Sequence, residues 1–445
     1  MKKNKFLVLS LCAGWLGMMT SCNNDSVLTA DAVDLEQANA LSAKLVFNIA
    51  TPSAGNIVMR TQTEDESAIK SLNIYLFELS SSVTDTSAAT DADYVLLSST
   101  SFTSDSEENA FTSDGTGGVE CSIDIEDDWA DKTIRALIVA NDAVNDLTEG
   151  TSTISNLKEA LATAEVSDGD HADVLVGNPS DDDATGFPMT AEASLSDGTD
   201  ITLGSDNVEL SAELVRSVAR VDLFCYCDVL TVDYVYISGV ANQSYLFAQS
   251  ETAEPSTSNY ISLYPLKKYC DEDDTSIYTS WSYDNSYESS LSNDADDETK
   301  QEAAWDTNAH EGEFYLYEQT TSSTNCPTVH ITFSTSDGYG TVEVPFKSST
   351  DYVSVERNHR YIIQLGGDTT TSGGEETTSA TSITATLFEL SDWEDDDDSN
   401  VIEVYVSQST SSSSDTSSDS SEDTSEDSTD SSSDSSSNSS SSESE

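Results

Sequence analysis

The chain has 445 residues, 83 acidic against 17 basic, and a formal net charge of −66. That balance excludes nucleic acid as a natural partner, because phosphate binding needs clustered Lys and Arg. It implies instead a solvated, self-repelling surface of the kind that keeps an exported protein soluble, and the length calls for more than one core.

Lys2, Lys3 and Lys5 precede an apolar run, Phe6–Met19, that ends in Met-Thr-Ser-Cys at positions 19–22. A basic start and a short apolar run form an export signal, too short to span a bilayer as a permanent helix. A cysteine straight after small residues has the look of a lipobox. It predicts a lipoprotein signal peptide over 1–21 and an acyl chain such as palmitate on Cys22; the plainer alternative is a secretory signal with an accidental cysteine. No later run approaches the roughly 20 apolar residues a membrane crossing needs.

Residues 23–43 are polar and linker-like. From Lys44 onward, short apolar runs recur between segments rich in Ser, Thr, Asp and Gly, the pattern of an all-β sandwich or barrel. Strands are predicted at Leu45–Ile49, Leu72–Phe77, Tyr94–Leu97, Gly118–Ile125, Thr133–Ala140 and Val208–Leu214. They continue at Ser217–Tyr226, Tyr234–Val240, Phe314–Tyr317, Thr328–Phe333, Thr341–Phe346, Arg360–Leu365 and Thr384–Leu390. In Gly118–Ile125, Val119, Cys121, Ile123 and Ile125 share one face. Ile134–Ala140 is nearly continuous apolar chain and belongs at the centre of a sheet. Ile154, Leu157, Leu161 and Ala164 recur at helical spacing and predict an amphipathic helix over 154–164.

Between the first two strands stands a lone arginine, Arg60, followed by Thr-Gln-Thr-Glu-Asp-Glu. The Arg60–Thr61 bond therefore lies in polar, exposed chain. Strands thin out between Ser180 and Asp206, which places a domain boundary near residue 212. Residues 270–312 are acidic, carry Trp281, Tyr283, Tyr287 and Trp305, and read as a surface excursion within the second domain. Val401–Val406 alternates, with Ile402, Val404 and Val406 on one face and Val401, Glu403 and Tyr405 on the other. Beyond Ser407 the chain is almost only Ser, Asp, Glu and Thr. Lacking apolar residues to offset ordering entropy, it is expected to be disordered.

No catalytic constellation, cofactor motif or zinc spacing stands out: His171, His310, His330 and His359 are scattered, and there is no Gly-x-Ser-x-Gly elbow. The acidic runs Asp181–Asp183 and Asp395–Asp398 could attract calcium but lack calcium-loop spacing, so no metal is assigned. Five cysteines follow Cys22, namely Cys121, Cys225, Cys227, Cys270 and Cys326. An odd number leaves a thiol unpaired, and buried thiols with at most one or two disulfides are expected. Arg216 and Arg220, four apart in a predicted strand, face one side; they either pair with buried or interfacial carboxylates or simply balance surface charge. Arg357 and Arg360 are alternative protease targets only if exposed.

The segment Lys44–Glu78 resembles the propeptide junction of the fimbrillin family, subunits of the type V pili of Bacteroidales. Further phrases resemble that family in its order: Ser67–Phe77, Ala136–Asn141, Phe187–Thr190, Leu214–Leu223, Phe314–Glu318, Val355–Tyr361 and Trp393. The resemblance implies two transthyretin-like β-sandwich domains in tandem. Their limits would be a propeptide with the first strand at 22–60, domains at 61–212 and 213–407, and a tail at 408–445. It implies an outer-membrane lipid anchor at Cys22, a cut after Arg60 by an arginine-specific protease, and Thr61 as the new N-terminus. The groove left by the first strand would be filled by a donor strand, assigned to Val401–Val406, from another copy or a related fimbrial subunit. The acidic tail departs from the family pattern. The leading expectation is thus a non-enzymatic fimbrial subunit serving adhesion at the cell surface. The rivals are a monomeric lipid-anchored adhesin for glycans or a host protein, contacting its target through 270–312, and an anchor or tip subunit of the same pilus.

Overall fold

Period-two alternation of apolar residues gives each strand one face to bury, and the strands satisfy it by stacking as sheets. The computed structural model describes residues 43–51, 64–390, 402–408 and 410–411, with breaks at 105, 107–108, 114–117, 164–185, 197, 228–229, 250–254, 266–268, 271–277, 293–294, 337, 349–350 and 373–374. Cys22, Arg60, Thr61, Val401, Trp393, both acidic runs and the tail after Ser411 lie outside the described residues.

The fold is all-β. One sheet has the order β10 (Val208–Glu213), β1 (Lys44–Ala50), β5 (Val119–Asp124), β4 (Thr112–Ser113). A second runs β11 (Val215–Arg216), β8 (Met189–Ala193), β6 (Thr133–Ala140), β2 (Ser71–Leu79), β3 (Tyr94–Thr103), with β9 (Ile201–Thr202) beside β6. Leu45, Phe47 and Ile49 of β1 share one core with Leu72, Ile74 and Leu76 of β2 and with Cys121 and Ile123 of β5. This is the first sandwich.

In the second sandwich one sheet runs β17 (Ala309–Tyr317), β12 (Val218–Cys225), β20 (Arg360–Ser372), β21 (Glu375–Leu390), β22 (Ile402–Gln408). Its companion runs β15 (Tyr260–Leu263), β13 (Thr231–Ala241), β18 (Thr328–Thr335), β19 (Gly338–Pro345), β23 (Thr410–Ser411), with β16 (Trp281–Ser282) beside β13. A small ribbon pairs β14 (Gln243–Tyr245) with β7 (Leu161–Thr163).

The apolar run Ile134–Ala140 is central as expected: β6 lies between β8 and β2. Both faces of these strands are buried. Ile74, Leu76, Ala136 and Ile138 fill the first core, while Tyr75, Phe77, Leu137 and Val139 join the second. The two cores therefore meet across one sheet, and the described chain from Ala43 onward forms one compact unit.

Three expectations change. The helix at 154–164 shrinks to α1 (Ile154–Lys158), capped by Thr153, because Leu161–Thr163 pairs with β14 as a strand. Inter-strand hydrogen bonds across the chain outcompete local helical periodicity there. Within 270–312 a helix forms, α2 (Asp297–Asn308), begun by Asp296 accepting from the Thr299 amide. It carries no amphipathic stripe that would have signalled it. The predicted strand through Arg216 and Arg220 is split at Ser217: β11 pairs with β8 of the first sandwich, and β12 with β17 and β20 of the second.

The start of β2 is fastened by Asn141, which is buried and adopts φ 60°. Its Oδ1 accepts from the amides of Lys70 (2.8 Å) and Ser71 (3.3 Å), and its Nδ2 donates to the carbonyls of Ala68 (2.8 Å) and Phe187 (2.9 Å). Asn tolerates this backbone better than a residue with an apolar side chain. Asn141→Ala should lower unfolding free energy by about 2–4 kcal/mol, from left-handed strain plus unsatisfied buried groups, measured by urea denaturation.

Candidate functional site

Strand β1 sits in the interior of its sheet, parallel to β10 and antiparallel to β5. Leu45 and Phe47 are fully buried and Ile49 nearly so, whereas Lys44, Asn48 and Ala50 face solvent. Beyond the two ladders, the Lys44 amide donates to Asn207 Oδ1 (2.9 Å) and the Leu214 amide donates to the Ala50 carbonyl (3.0 Å). The Lys44–Asp124 ion pair (3.2 Å) is solvent-exposed and contributes little in high dielectric. Removing β1 would bare three apolar pockets and two facing rows of unpaired backbone groups, on β10 and β5. Such edges are templates for an added strand. At the Ala50 end of β1 lies a cleft of about 620 Å³, lined by Ile49, Val119, Glu192, Ser194 and Ala212 among others.

After Ala50 the next described element is a 3-10 turn, Glu64–Ser67, at the seam between the sandwiches. Here the chain buries scarce cations. Arg216 and Arg220 head the fully buried side chains in size, and Arg360 is 2 % exposed. Arg220 Nη1 donates to Glu66 Oε2 (2.9 Å) and its Nε to Asp222 Oδ1 (2.6 Å); Arg360 Nε donates to Asp222 Oδ2 (2.7 Å). Arg216 Nε donates to the Glu66 carbonyl (3.1 Å) and its Nη1 to Asn358 Oδ1 (3.1 Å). The Tyr315 hydroxyl donates to Glu66 Oε1.

Strand registry explains the arrangement. Arg220 lies beside Arg360 on β20 and beside Tyr315 on β17. Two guanidinium groups side by side would repel, so Asp222, two residues along on the same face, must bridge them. Opposite Asp222 the β12–β17 ladder bulges, and the Gly312 amide turns in to donate to Asp222 Oδ1 at 2.5 Å. Gly312 has φ 60°, and a Cβ there would collide with the Tyr315 hydroxyl. Burial disfavours both charged partners, yet the pairing outweighs it. Asp222 is held below its ordinary range by Arg220 and Arg360, and Arg220 is raised well above its own by Asp222 and Glu66. Burial and the neighbouring Glu66 also push the Tyr315 hydroxyl far up.

The 270–312 excursion closes over this cluster. Trp305 of α2 is buried, packs on Phe224 (5.1 Å) and under the Arg360 guanidinium (5.1 Å), and its Nε1 donates to Glu311 Oε1 (2.8 Å). His310 is stacked between Tyr269 (4.3 Å) and Trp281 (4.0 Å), with Nδ1 3.0 Å from Glu313 Oε2. Much of the excursion's aromatic surface is thus used internally. Arg357 is buried and bonded to Glu318 (2.7 Å) and to the carbonyls of Leu246 and Tyr245. Neither Arg357 nor Arg360 is open to a protease.

Among the described residues none of the five cysteines is in a disulfide, four of them are buried, and burial pushes the thiols of Cys121 and Cys225 up to about 12. No group of His, Cys, Asp and Glu suited to a metal ion occurs among the described residues. The described part of the predicted donor segment, Ile402–Val406, lies within β22 at the edge of its own sheet, antiparallel to β21. The ladder is irregular at Val404: Tyr405 opposes Leu387 and Glu403 opposes Phe388. The sequence pattern Arg220-x-Asp222 on an alternating strand was a usable sign of the cluster. Glu66, one acid in the run Glu64-Asp65-Glu66, gave none.

No family profile matches the chain, and no curated protein does. Among solved structures it is similar to fimbrial and cell-adhesion proteins. A candidate cell adhesion protein from Bacteroides eggerthii is 14 % identical, with a TM-score of 0.40 over 78 % of this chain and 96 % of that one. The tip fimbrial protein Mfa3 from Porphyromonas gingivalis is 12 % identical, TM-score 0.39, over 77 % and 99 %. The fimbrial anchor protein Mfa2 from the same organism is 10 % identical, TM-score 0.33, over 82 % and 100 %.

Because the folded-state Asp222 carboxyl titrates below its ordinary 3.8, its stabilising contribution is complete above that value and fades as pH falls through the lowered one. Asp222→Asn should therefore cost about 3–5 kcal/mol near pH 7, and the gap between the two proteins should close on acidification below about pH 3.8. Urea melts of both across pH check this; a gap that stays constant would contradict it.

Proposed function

We propose that the chain is a structural subunit of a cell-surface fimbria, exported as a lipoprotein through Cys22, cut after Arg60 and polymerised by strand exchange. The observation that carries this reading is the placement of β1. It is an interior strand of the first sandwich, bonded only to β5 and β10 of its sheet, and it connects onward through the segment that contains Arg60. Cutting there would let one strand leave and open a groove with apolar pockets at the places of Leu45, Phe47 and Ile49. Filling it from another copy is head-to-tail and does not close, so it yields filaments.

The segment Val401–Val406 is the proposed donor. As β22 it borders a single neighbour within its sheet, β21, and its continuation β23 adds one short ladder with β19. Ile402, Val404 and Val406 repeat the spacing of Leu45, Phe47 and Ile49. Burying each aliphatic side chain is worth about 1.5–3 kcal/mol as an upper bound. The monomeric adhesin reading draws less support, since Trp305 and Tyr278, two aromatics of its presumed contact loop, are buried.

Sequencing the mature surface protein should show Thr61 at its N-terminus, and Arg60→Ala should accumulate as a lipidated monomer. Fibres whose subunits begin at Cys22 would refute the proposal and favour an intact, anchored protein. Val404→Asp should abolish polymers and leave a folded, cleaved monomer, because a carboxylate in the groove loses its hydration without gaining a partner. If instead the mutant assembles at the normal level, Val401–Val406 is not the donor; if it melts markedly lower as a monomer, β22 belongs to its own sheet alone.

A further inference from the structure

The chain between β1 and β2 is held at its far end by groups that β1 does not touch. Backbone partners of β1 lie on β5 and β10, with the Leu214 amide donating to the Ala50 carbonyl at its end. The partners of Glu66 lie elsewhere: Arg216 on β11, Arg220 on β12 and Tyr315 on β17. Four residues beyond Glu66, Asn141 takes over, receiving the amides of Lys70 and Ser71. So the chain from Glu66 to Ser71 has polar ties to both sandwiches, at the seam, beside the apolar core that β2 shares with the first strand.

We propose that Arg216, Arg220 and Tyr315 form a latch for Glu66, which fixes the start of the retained chain so that a break between Ala50 and Glu64 frees β1 alone. The proposal rests on the reading of β1 as a removable strand and adds the device that makes removal safe. A cut turns interior chain into a terminus, and termini fray unless tied down. Here fraying would run straight into β2, which lies between β6 and β3 and is buried on both faces. Glu66 resists because its withdrawal would strip the carboxylate from buried Arg220 and the backbone carbonyl from buried Arg216, one on each sandwich. Losing one partner of a buried charge pair is far costlier than losing a surface pair. The same residue ties the sandwiches together, since Arg216 pairs into the sheet of β8 and Arg220 into that of β17 and β20.

The test uses the full chain with a recognition site for a sequence-specific protease inserted between Ser53 and Arg60. The cut is then made whether or not Arg60 is the natural site, and failure of the maturation reading stays separate from failure of the latch. Amide hydrogen exchange over residues 68–79 is followed before and after cutting, in the parent and in Glu66→Ala. In the parent, cutting should leave exchange within about twofold; in cut Glu66→Ala it should rise by about tenfold or more, beyond any rise in the uncut variant. Loss of protection in the cut parent would overturn the latch, and so would full protection in cut Glu66→Ala. Should Glu66→Ala fail to fold, Tyr315→Phe removes one hydrogen bond to Glu66 without altering charge. It should give about a threefold rise after cutting, and an unchanged rate there would equally overturn the proposal.

Discussion

A buried guanidinium that loses its carboxylate costs several kcal/mol, and this constraint governs the middle of the molecule. Arg216, Arg220 and Arg360 lie out of water where the two sandwiches meet, and each has to be answered by an acceptor at a fixed place. Glu66 and Asp222 supply the central carboxylates, with Glu311 3.5 Å from Arg220. Around this pattern the backbone bends. The ladder bulges at Gly312 to offer an amide, the turn at Glu64–Ser67 brings in a side chain from the distant N-terminal arm, and α2 lays Trp305 over Arg360. Arginine suits the task better than lysine because its flat, weakly hydrated fork can serve two acceptors in different directions.

The first sandwich is built asymmetrically. Its β2–β6 sheet is buried on both faces and locked to the second sandwich, whereas the sheet holding β1 contributes to one core only. Loss of β1 would therefore empty a slot without dismantling the sheet that joins the two halves. The second sandwich ends in the opposite condition, with β22 as a border strand beside β21. In the proposed strand exchange, the interior strand β1 and the edge strand β22 would be the two halves of the device, and they lie in different sandwiches of one chain.

Surface and interior use charge in opposite ways. With 83 acidic residues against 17 basic ones, most carboxylates find no cation and are stabilised by water, which favours solubility and keeps like surfaces apart. The arginines of the described residues are withdrawn from that surface: Arg135 is mostly covered between Asp91 and Glu192, and Arg357 is enclosed with Glu318. Electrostatic complementarity is thereby concentrated where it discriminates between packings, and outside it is left to repulsion.

The strand pattern was legible in the sequence because side-chain alternation is a local property. Val119, Cys121 and Ile123 point one way in any strand, and an uninterrupted run such as Ile134–Ala140 has no solvent face to offer. The same local reasoning overran at 154–164. Leu161 stands at helical spacing from Ile154 and Leu157, but pairing with β14, more than eighty residues away, claims it for a strand. The strand through Arg216 and Arg220 was continuous by pattern and is divided by topology at Ser217, since no local signal tells which sheet a segment will join. From the sequence alone came the all-β class and the alternating runs, both fixed by neighbours along the chain. Only the tertiary structure chose Glu66 from its acidic run and set it against Arg220, 154 residues onward, because a buried charge is matched by what folding brings beside it in space.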